Sequence, residues 1–534
     1  MGPSINRRRL LQMGAGAGLG VAMPSLAMPG IARASTKTIT AVMHAPLRAT
    51  DPIMTTAWTA RNHGYMIYDT LFSTNSKFEI KPQMVEAWEV SADNLIYTFR
   101  LRPGLKFHDG SAVTSADVIP SLQRWSKRDS MGQKLFEFVA ELKAVDERTF
   151  RMALKEPCGF VLAALGKPTA NVPFIVPARI AATPADQAIT DHLGSGPFRF
   201  VTPEFQPGVK AAYEKNPDYV SRDEPSDGTG GGKVVKIGRY EWISVPDFQI
   251  ATNALMNDEI DYFEVPPHDH HPLLARAANV ELTDYNTLGF SGMCRMNWLV
   301  PPFDRVEIRQ AVLHAVNQKD WLDTQIGNPD YYKVTPAIFV AGTPFESTIG
   351  WSTRADTAKA KELLKQGGYK GEPITILHAT DAPIITALGT VTAEALRAIG
   401  MNVNLLAMDW GSVVARRAKQ SMPAEGGWSL YHSTWASADL VNPIGNACVN
   451  GKGKNGGFFG WVEDAELERL RDGFARAAAP ADQKAIADKI QARAYEVVTH
   501  VPTGQYNQPA ATRKALKDIV RAPVPLFWNV DKTG

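Results

Sequence analysis

Alternation of apolar and polar positions marks the strands of this chain. Thr38-Ile39-Thr40-Ala41-Val42-Met43 reads as a first strand, followed by a turn at Asp51-Pro52. Leu95 to Leu101 alternates in the same way until Pro103-Gly104 breaks it. Helical spacing takes over elsewhere. Between Thr55 and Phe72, the residues Trp58, Tyr65, Tyr68, Leu71 and Phe72 fall near one stripe, which predicts a helix. Thr114 with Asp117 three residues on is a capping pair for a helix running through Trp125, and Pro120 predicts a kink in it. Ile308, Ala311, Val312, Ala315, Val316 and Leu322 share a face after a cap at Asp304. Ala358 to Leu364 stops at Gly367-Gly368, and Thr392 to Ile399 stops at Gly400 before a strand over Met401–Leu406. A last helix spans about 481 to 498, and Pro523 to Trp528 is an extended tail. Helix followed by strand, repeated, is the grammar of an α/β protein.

One stretch combines the strand pattern with chemistry. Gly427 to Trp435 alternates aromatic or aliphatic with small polar residues, and Ala436 to Asp439 turns away before Asn442-Pro443 ends any ladder. A strand end presenting Trp435, His432 and Asp439 forms a concave wall with one fixed negative charge, suited to a ligand with an amine and apolar surface. A buried strand with a surface turn is the plainer reading of the same residues.

Composition narrows the class. The chain has 534 residues, 44% hydrophobic and 21% charged, enough for two to four folding units. Its formal charge of +2 is set by residues 1–34, which hold Arg7, Arg8, Arg9 and Arg33 and no acid; without them 53 basic residues face 55 acidic ones. Nothing there favours nucleic acid or an anionic membrane. Arg7-Arg8-Arg9-Leu10-Leu11 precedes a short Gly/Ala-rich apolar run, and Ala32-Arg33-Ala34 offers a cleavage site before Ser35. That predicts a twin-arginine-type export signal over 1–34 and a soluble periplasmic protein, without a lipid anchor because no Cys stands near the cut. Cys158, Cys294 and Cys448 are three, so at least one is unpaired within the chain, and a disulfide between two of them stays open.

Several ordered blocks together carry a resemblance. They are Pro82 to Val90, the Tyr97–Leu101 strand, Gly104-Leu105-Lys106-Phe107-His108-Asp109-Gly110, and Ser115-Ala116-Asp117-Val118. Gly194-Ser195-Gly196-Pro197-Phe198, Lys215 to Tyr219, Asn253-Ala254-Leu255 with Glu259-Ile260-Asp261, and Pro302-Phe303-Asp304 with Ile308 to Ala311 follow in order. In this order they resemble the extracytoplasmic solute-binding proteins of family 5, the peptide- and nickel-type receptors of ABC importers. The resemblance implies an α/β, two-lobed periplasmic binding protein (type II, cluster C-like) with an extra domain inserted beside the first lobe. It divides the chain into lobe I (35–77, 193–285 and 502–534), the inserted domain (78–192) and lobe II (286–501). It also implies a monomer that closes about a hinge on a di- or oligopeptide and hands it to permease subunits in the inner membrane, with no catalysis and no cofactor. In peptide-binding members a Trp and an Ala-Asp pair, with Pro four residues after the Asp, line the cleft. Trp435, Ala438, Asp439 and Pro443 look like that pattern, with two departures: one additional residue between Trp435 and Asp439, and Leu440 where peptide binders often have Tyr. Asp439 would then receive the peptide's α-ammonium. Trp58 and Asn62 are candidates for the opposite wall, followed by Trp410 and Asn297.

Other readings stay on the page. Within the class, the solute could be a nickel chelate, an opine-like compound or a sugar derivative. From other classes come a secreted peptide-binding chaperone and a hydrolase, although no GxSxG-type nucleophile accompanies His108-Asp109. Gly228-Thr229-Gly230-Gly231-Gly232-Lys233 misses the phosphate-loop spacing by one residue and reads as a flexible surface loop. His268-Asp269-His270-His271 is too compact to converge on one ion, so no metal site is expected there.

Overall fold

Two sheets and one smaller sheet organise the chain. The structure, a computed structural model, describes residues 37–533. The expected export signal over 1–34 lies outside the described residues. The first sheet has seven strands, in the order Phe198–Phe200, Lys210–Lys215, Arg239–Ile243, Thr38–Val42, Tyr262–Phe263, Ala510–Arg513 and Val280–Thr283. Thr38–Val42 sits at its centre and runs parallel to both neighbours, which buries it on both sides and explains its apolar content. The second sheet has six strands, in the order Tyr332–Lys333, Val501–Tyr506, Phe290–Met296, Leu430–Ala436, Ile374–Ala379 and Val403–Met408. A four-stranded antiparallel sheet, Val85–Val90, Ile96–Leu101, Thr149–Leu154 and Val139–Ala144, comes from the segment between the first strands of the large sheets.

The chain passes from the first sheet to the second between Thr283 and Phe290, and returns between Tyr506 and Ala510. The return therefore comes after the strand Val501–Tyr506, several residues later than a division at 501/502. The segment 523–528 is not a strand. Val524, Leu526, Phe527 and Trp528 are buried in the core of the first sheet, and Tyr240 donates its hydroxyl to the Phe527 carbonyl at 2.8 Å.

Several local expectations meet tertiary constraints. The first helix spans only Trp58–Ile67, not 55–72. Asp69–Thr70 pairs with Phe174–Ile175, and Phe72–Thr74 pairs with Ile80–Pro82. The Asp69 carboxylate is buried against Lys233 at 2.8 Å and the Tyr219 hydroxyl at 2.8 Å. A buried anion holds its partners, and those partners hold this segment extended. The helix Ser115–Trp125 forms with its Thr114/Asp117 capping box and continues through Pro120 as one helix. The helix after Pro302-Phe303-Asp304 is Val306–Ala315, and its N-cap is Arg305 rather than Asp304. Asn317 caps a separate helix, Gln318–Gln325, so Leu322 belongs to that second helix.

The glycine run at 228–232 is not a flexible surface loop. A Cβ on Gly228 would sit 2.4 Å from the Thr74 carbonyl oxygen, and one on Gly230 would sit 2.1 Å from Ser73 Oγ. Close backbone approach, not phosphate binding, is what these glycines serve. Lys233, the residue that invites the phosphate-loop reading, is committed to Asp69 and lies 4.8 Å from the Trp528 ring centroid. Cys158, Cys294 and Cys448 are all buried free thiols. Burial pushes the Cys158 and Cys448 thiols up to about 11.

Candidate functional site

The strand Leu430–Ala436 pairs along its length with Phe290–Met296 and ends beside it. One 3₁₀ turn, Ser437–Asp439, follows. Ser437 donates its N–H to the Gly289 carbonyl at 3.0 Å, and its hydroxyl lies 2.8 Å from that of Ser291. These bonds fix the turn against the neighbouring strand, so the position of Asp439 is set by the sheet and not by a free loop.

Asp439, Trp435 and Ala438 line a cavity of about 660 Å³. That volume lies in the usual range for ligand sites, roughly 300–1,000 Å³. Three parts of the chain close around it. The first-sheet side contributes Thr56, Asn75, Ser76 and Arg521. The segments flanking the four-stranded sheet contribute Asp129, Met131, Phe160, Lys167 and Thr169. The second-sheet side adds Phe345, Asn442 and Phe458 to the Asp439 turn. Arg295 positions the Phe458 loop from below. Fully buried, it donates from Nε to the Phe459 carbonyl at 2.8 Å and from Nη1 to those of Cys448 and Thr499, each at 2.8 Å.

The charges of the wall are unequal in their commitments. Lys167 pairs with Asp129, which also accepts the Gly132 N–H at 2.9 Å, so this pair is satisfied internally. Arg128 and Arg521 are exposed at the rim. Asp439 is half-buried and makes no ion pair within 4 Å among the described residues. Burial raises its pKa above the ordinary aspartate range; the Thr169 hydroxyl, Arg61 and Lys167 pull it back, and Asp129 adds to the rise. A carboxylate held in this way is stabilised by a cation brought to it.

Arg61, which the sequence pattern did not single out, lies behind this carboxylate on the helix Trp58–Ile67. It is buried, and its Nε and Nη2 donate to the Asn62 side-chain oxygen at 3.1 and 2.8 Å. Burial lowers its pKa while Asp439 and Glu264 raise it. Its Nη1 and the Asn62 amide nitrogen have no hydrogen-bond partner. Glu264 itself accepts from His44 at 2.9 Å, and the His44 ring meets Trp58 at 5.4 Å between centroids.

The seven residues expected at the site therefore part company. Asp439 and Trp435 face the cavity. Trp58 does not line it and instead joins the two large sheets, its ring 5.0 Å from that of Phe290. Asn62 is buried behind the wall beside Arg61. His432 is a core residue: its Nε2 lies 2.7 Å from the Thr392 hydroxyl, and its ring meets Trp321. Alternation along a strand explains why, since residues 432 and 435 are separated by an odd number and point to opposite faces. Desolvation lowers the His432 pKa to about 3, so it is neutral there. Asn297 is buried and bonded to the backbone of Trp428 at 3.0 Å and Leu299 at 3.1 Å. Trp410 opens the helix Trp410–Arg416 beside the edge strand, with the Arg417 guanidinium 5.8 Å from its ring centroid. Among the described residues no group of three His, Cys, Asp or Glu side chains is placed to hold a metal ion. In the His268–His271 segment, His268 and His271 face Tyr331 while His270 bonds to Thr252 at 2.8 Å.

A family model, described as bacterial extracellular solute-binding proteins, family 5 middle, matches residues 79–447. The chain belongs to this family. A probable peptide ABC transporter periplasmic-binding protein, y4tO of Sinorhizobium fredii (strain NBRC 101917 / NGR234), is 38% identical over 534 residues, covering 99% of this chain and 100% of that one. Among solved structures, the Helicobacter pylori periplasmic binding protein DppA in complex with the peptide STSA matches with a TM-score of 0.76 at 20% identity, covering 93% of this chain and 98% of its own. The binding protein AgaA from A. tumefaciens R10 in complex with agropinic acid matches with a TM-score of 0.75 at 22% identity, covering 93% and 99%. At these identities the likeness speaks for the fold, which is the two-lobed periplasmic binding protein fold of family 5. Its cavity residues named above are this chain's own.

Proposed function

We propose that the chain is the periplasmic substrate-binding component of an ABC importer, capturing short peptides between its lobes and delivering them to a membrane permease. The observation that carries this reading is Asp439: a half-buried carboxylate on the cavity wall, with no ion pair among the described residues. A peptide's α-ammonium answers it, and the peptide relationship of the y4tO relative supports the same class. No covalent step is required. The crossings at 284–289 and 507–509 are the hinge segments of this proposal, since among the described residues they alone carry the backbone between the large sheets. On this reading residues 1–34 are the export signal, the exported protein is a monomer, and the permease receives the closed form.

Closure brings the inserted domain against lobe II at the cavity rim. Lys134 pairs with Asp472 at 2.6 Å, and Arg476 holds Glu156 at 2.9 and 3.0 Å. The Gly159 N–H donates to the Ala475 carbonyl at 2.8 Å. Pairs this open to solvent on at least one side contribute about 0–1 kcal/mol each, so they guide the closed geometry more than they hold it.

Thermal unfolding with a ligand panel tests the reading. Free-amine di- and tripeptides are expected to raise the midpoint, and their N-acetylated forms to leave it unchanged. Equal shifts from both forms would remove the ammonium from the account. A shift given only by a nickel–histidine complex or an opine-like acid would assign the receptor to another solute.

A further inference from the structure

Beyond the ammonium, the cavity states what kind of side chain its guest carries. Resting on the peptide reading, we propose that the receptor selects short peptides with a bulky apolar side chain and rejects those with a charged one. Two walls make the selection. On the inserted side, Met131 and Phe160 line the cavity and are 4% and 1% exposed, locked into the main hydrophobic core, with Ala163 beside them. On the other side, Phe345 packs edge-on against Phe474 at 5.2 Å, and Phe458 against Trp435 at 5.4 Å. Trp435 is held in turn by its Nε1, 3.4 Å from Met293 Sδ.

Side chains anchored in this way cannot swing aside to leave room for water. A pocket that tolerates any side chain needs space and spare polar groups, so that ordered water can serve a charged guest. Here the buried charges of the wall are already committed. Lys167 and Asp129 neutralise each other, and Asp439 is reserved for the ammonium. A charged ligand side chain entering between the aromatic walls loses its hydration and meets no free buried charge, since the uncommitted arginines of the lining, Arg128 and Arg521, stand exposed at the rim, while an apolar one is favoured by burial.

Isothermal titration of the full-length exported protein with four free-amine tripeptides tests this: Ala-Leu-Ala, Ala-Phe-Ala, Ala-Asp-Ala and Ala-Lys-Ala. The leucine and phenylalanine peptides are expected to bind at least about tenfold more tightly than the aspartate and lysine ones. Phe458→Ser and Phe345→Ser, both at half-buried positions, are expected to narrow that ratio while retaining the native circular dichroism spectrum. Equal affinities across the four peptides, or a preference for either charged one, would overturn the proposal and leave the peptide reading intact. A ratio unchanged in both variants would overturn the assignment to these walls. No binding by any of the four would overturn the peptide reading and this inference with it.

Discussion

Asp439→Asn is expected to weaken binding of a free-amine peptide by at least about thirtyfold, while the ligand-free protein unfolds at a higher temperature than the native one at pH 7. The first effect follows from removing one partner of an enclosed charge pair, which costs roughly 2–5 kcal/mol. The second follows from linkage. The folded-state pKa of Asp439 is raised above the ordinary value near 3.8, chiefly by burial. The folded state therefore holds this proton more tightly than the unfolded chain does. Stability from this group is fully present below the unfolded value and is lost as pH rises through the folded one. At neutral pH the ionised Asp439 is thus a cost in the empty protein, and asparagine removes it. The gain is expected to shrink as the pH is lowered toward 4. Peptide affinity in the native protein should fall over the same acid range, beginning at a higher pH than an ordinary carboxylate would give. Arg61, Lys167 and Asp129 face the same carboxylate, so the measured midpoint belongs to the group of charges rather than to one residue. A variant that both loses stability and keeps affinity would show that Asp439 is structural.

Gly159→Val is expected to reduce peptide affinity by about 5–150-fold through faster dissociation, the range of a conformational coupling. The residue follows the strand Thr149–Leu154 and abuts the end of the helix Ala465–Arg476. A Cβ at 159 would lie 1.8 Å from the Ala477 carbonyl oxygen, too close for any accommodation short of backbone movement. Gln483 donates to the Gly159 carbonyl at 3.0 Å from the same side, so the contact is closed from two directions. The variant should retain its helix content, because the clash is between a loop and the end of a separate helix and not within one helix. Stopped-flow dissociation of a bound peptide reads the effect. An unchanged rate would separate this junction from ligand retention.

Asp439 and Trp435 were legible in the chain because the Trp, the Ala-Asp pair and the Pro sit close together in sequence and end a strand. His432 was drawn into the same group by proximity, although strand alternation places it on the opposite face, where Thr392 receives it. Lys167, Thr169, Asp129 and Phe160 carry no such local pattern. They reach the cavity only because the segments around the four-stranded sheet pack against the second-sheet side of the chain, and no periodicity in the segments themselves announces that approach. Arg61 is a different case. It stands one helical turn from Trp58, within a helix that was already a candidate wall, and a buried arginine with an unpartnered Nη1 is visible only once the helix is packed. The early end of that helix was likewise decided at a distance, by Lys233 and Tyr219 holding Asp69. The strand and helix pattern thus indicated the α/β class and the family resemblance the two lobes, while the polar lining depended on partners far away in sequence.

On the proposed function one carboxylate, Asp439, selects a cationic guest, and a two-by-two titration tests this most directly. The same peptide, with its amine free or acetylated, is titrated into the native protein and into Asp439→Asn. Acetylation is expected to cost at least about thirtyfold in the native protein and almost nothing in the variant, because the pair has already been broken there. An equal loss on acetylation in both proteins would place the ammonium elsewhere and contradict the account.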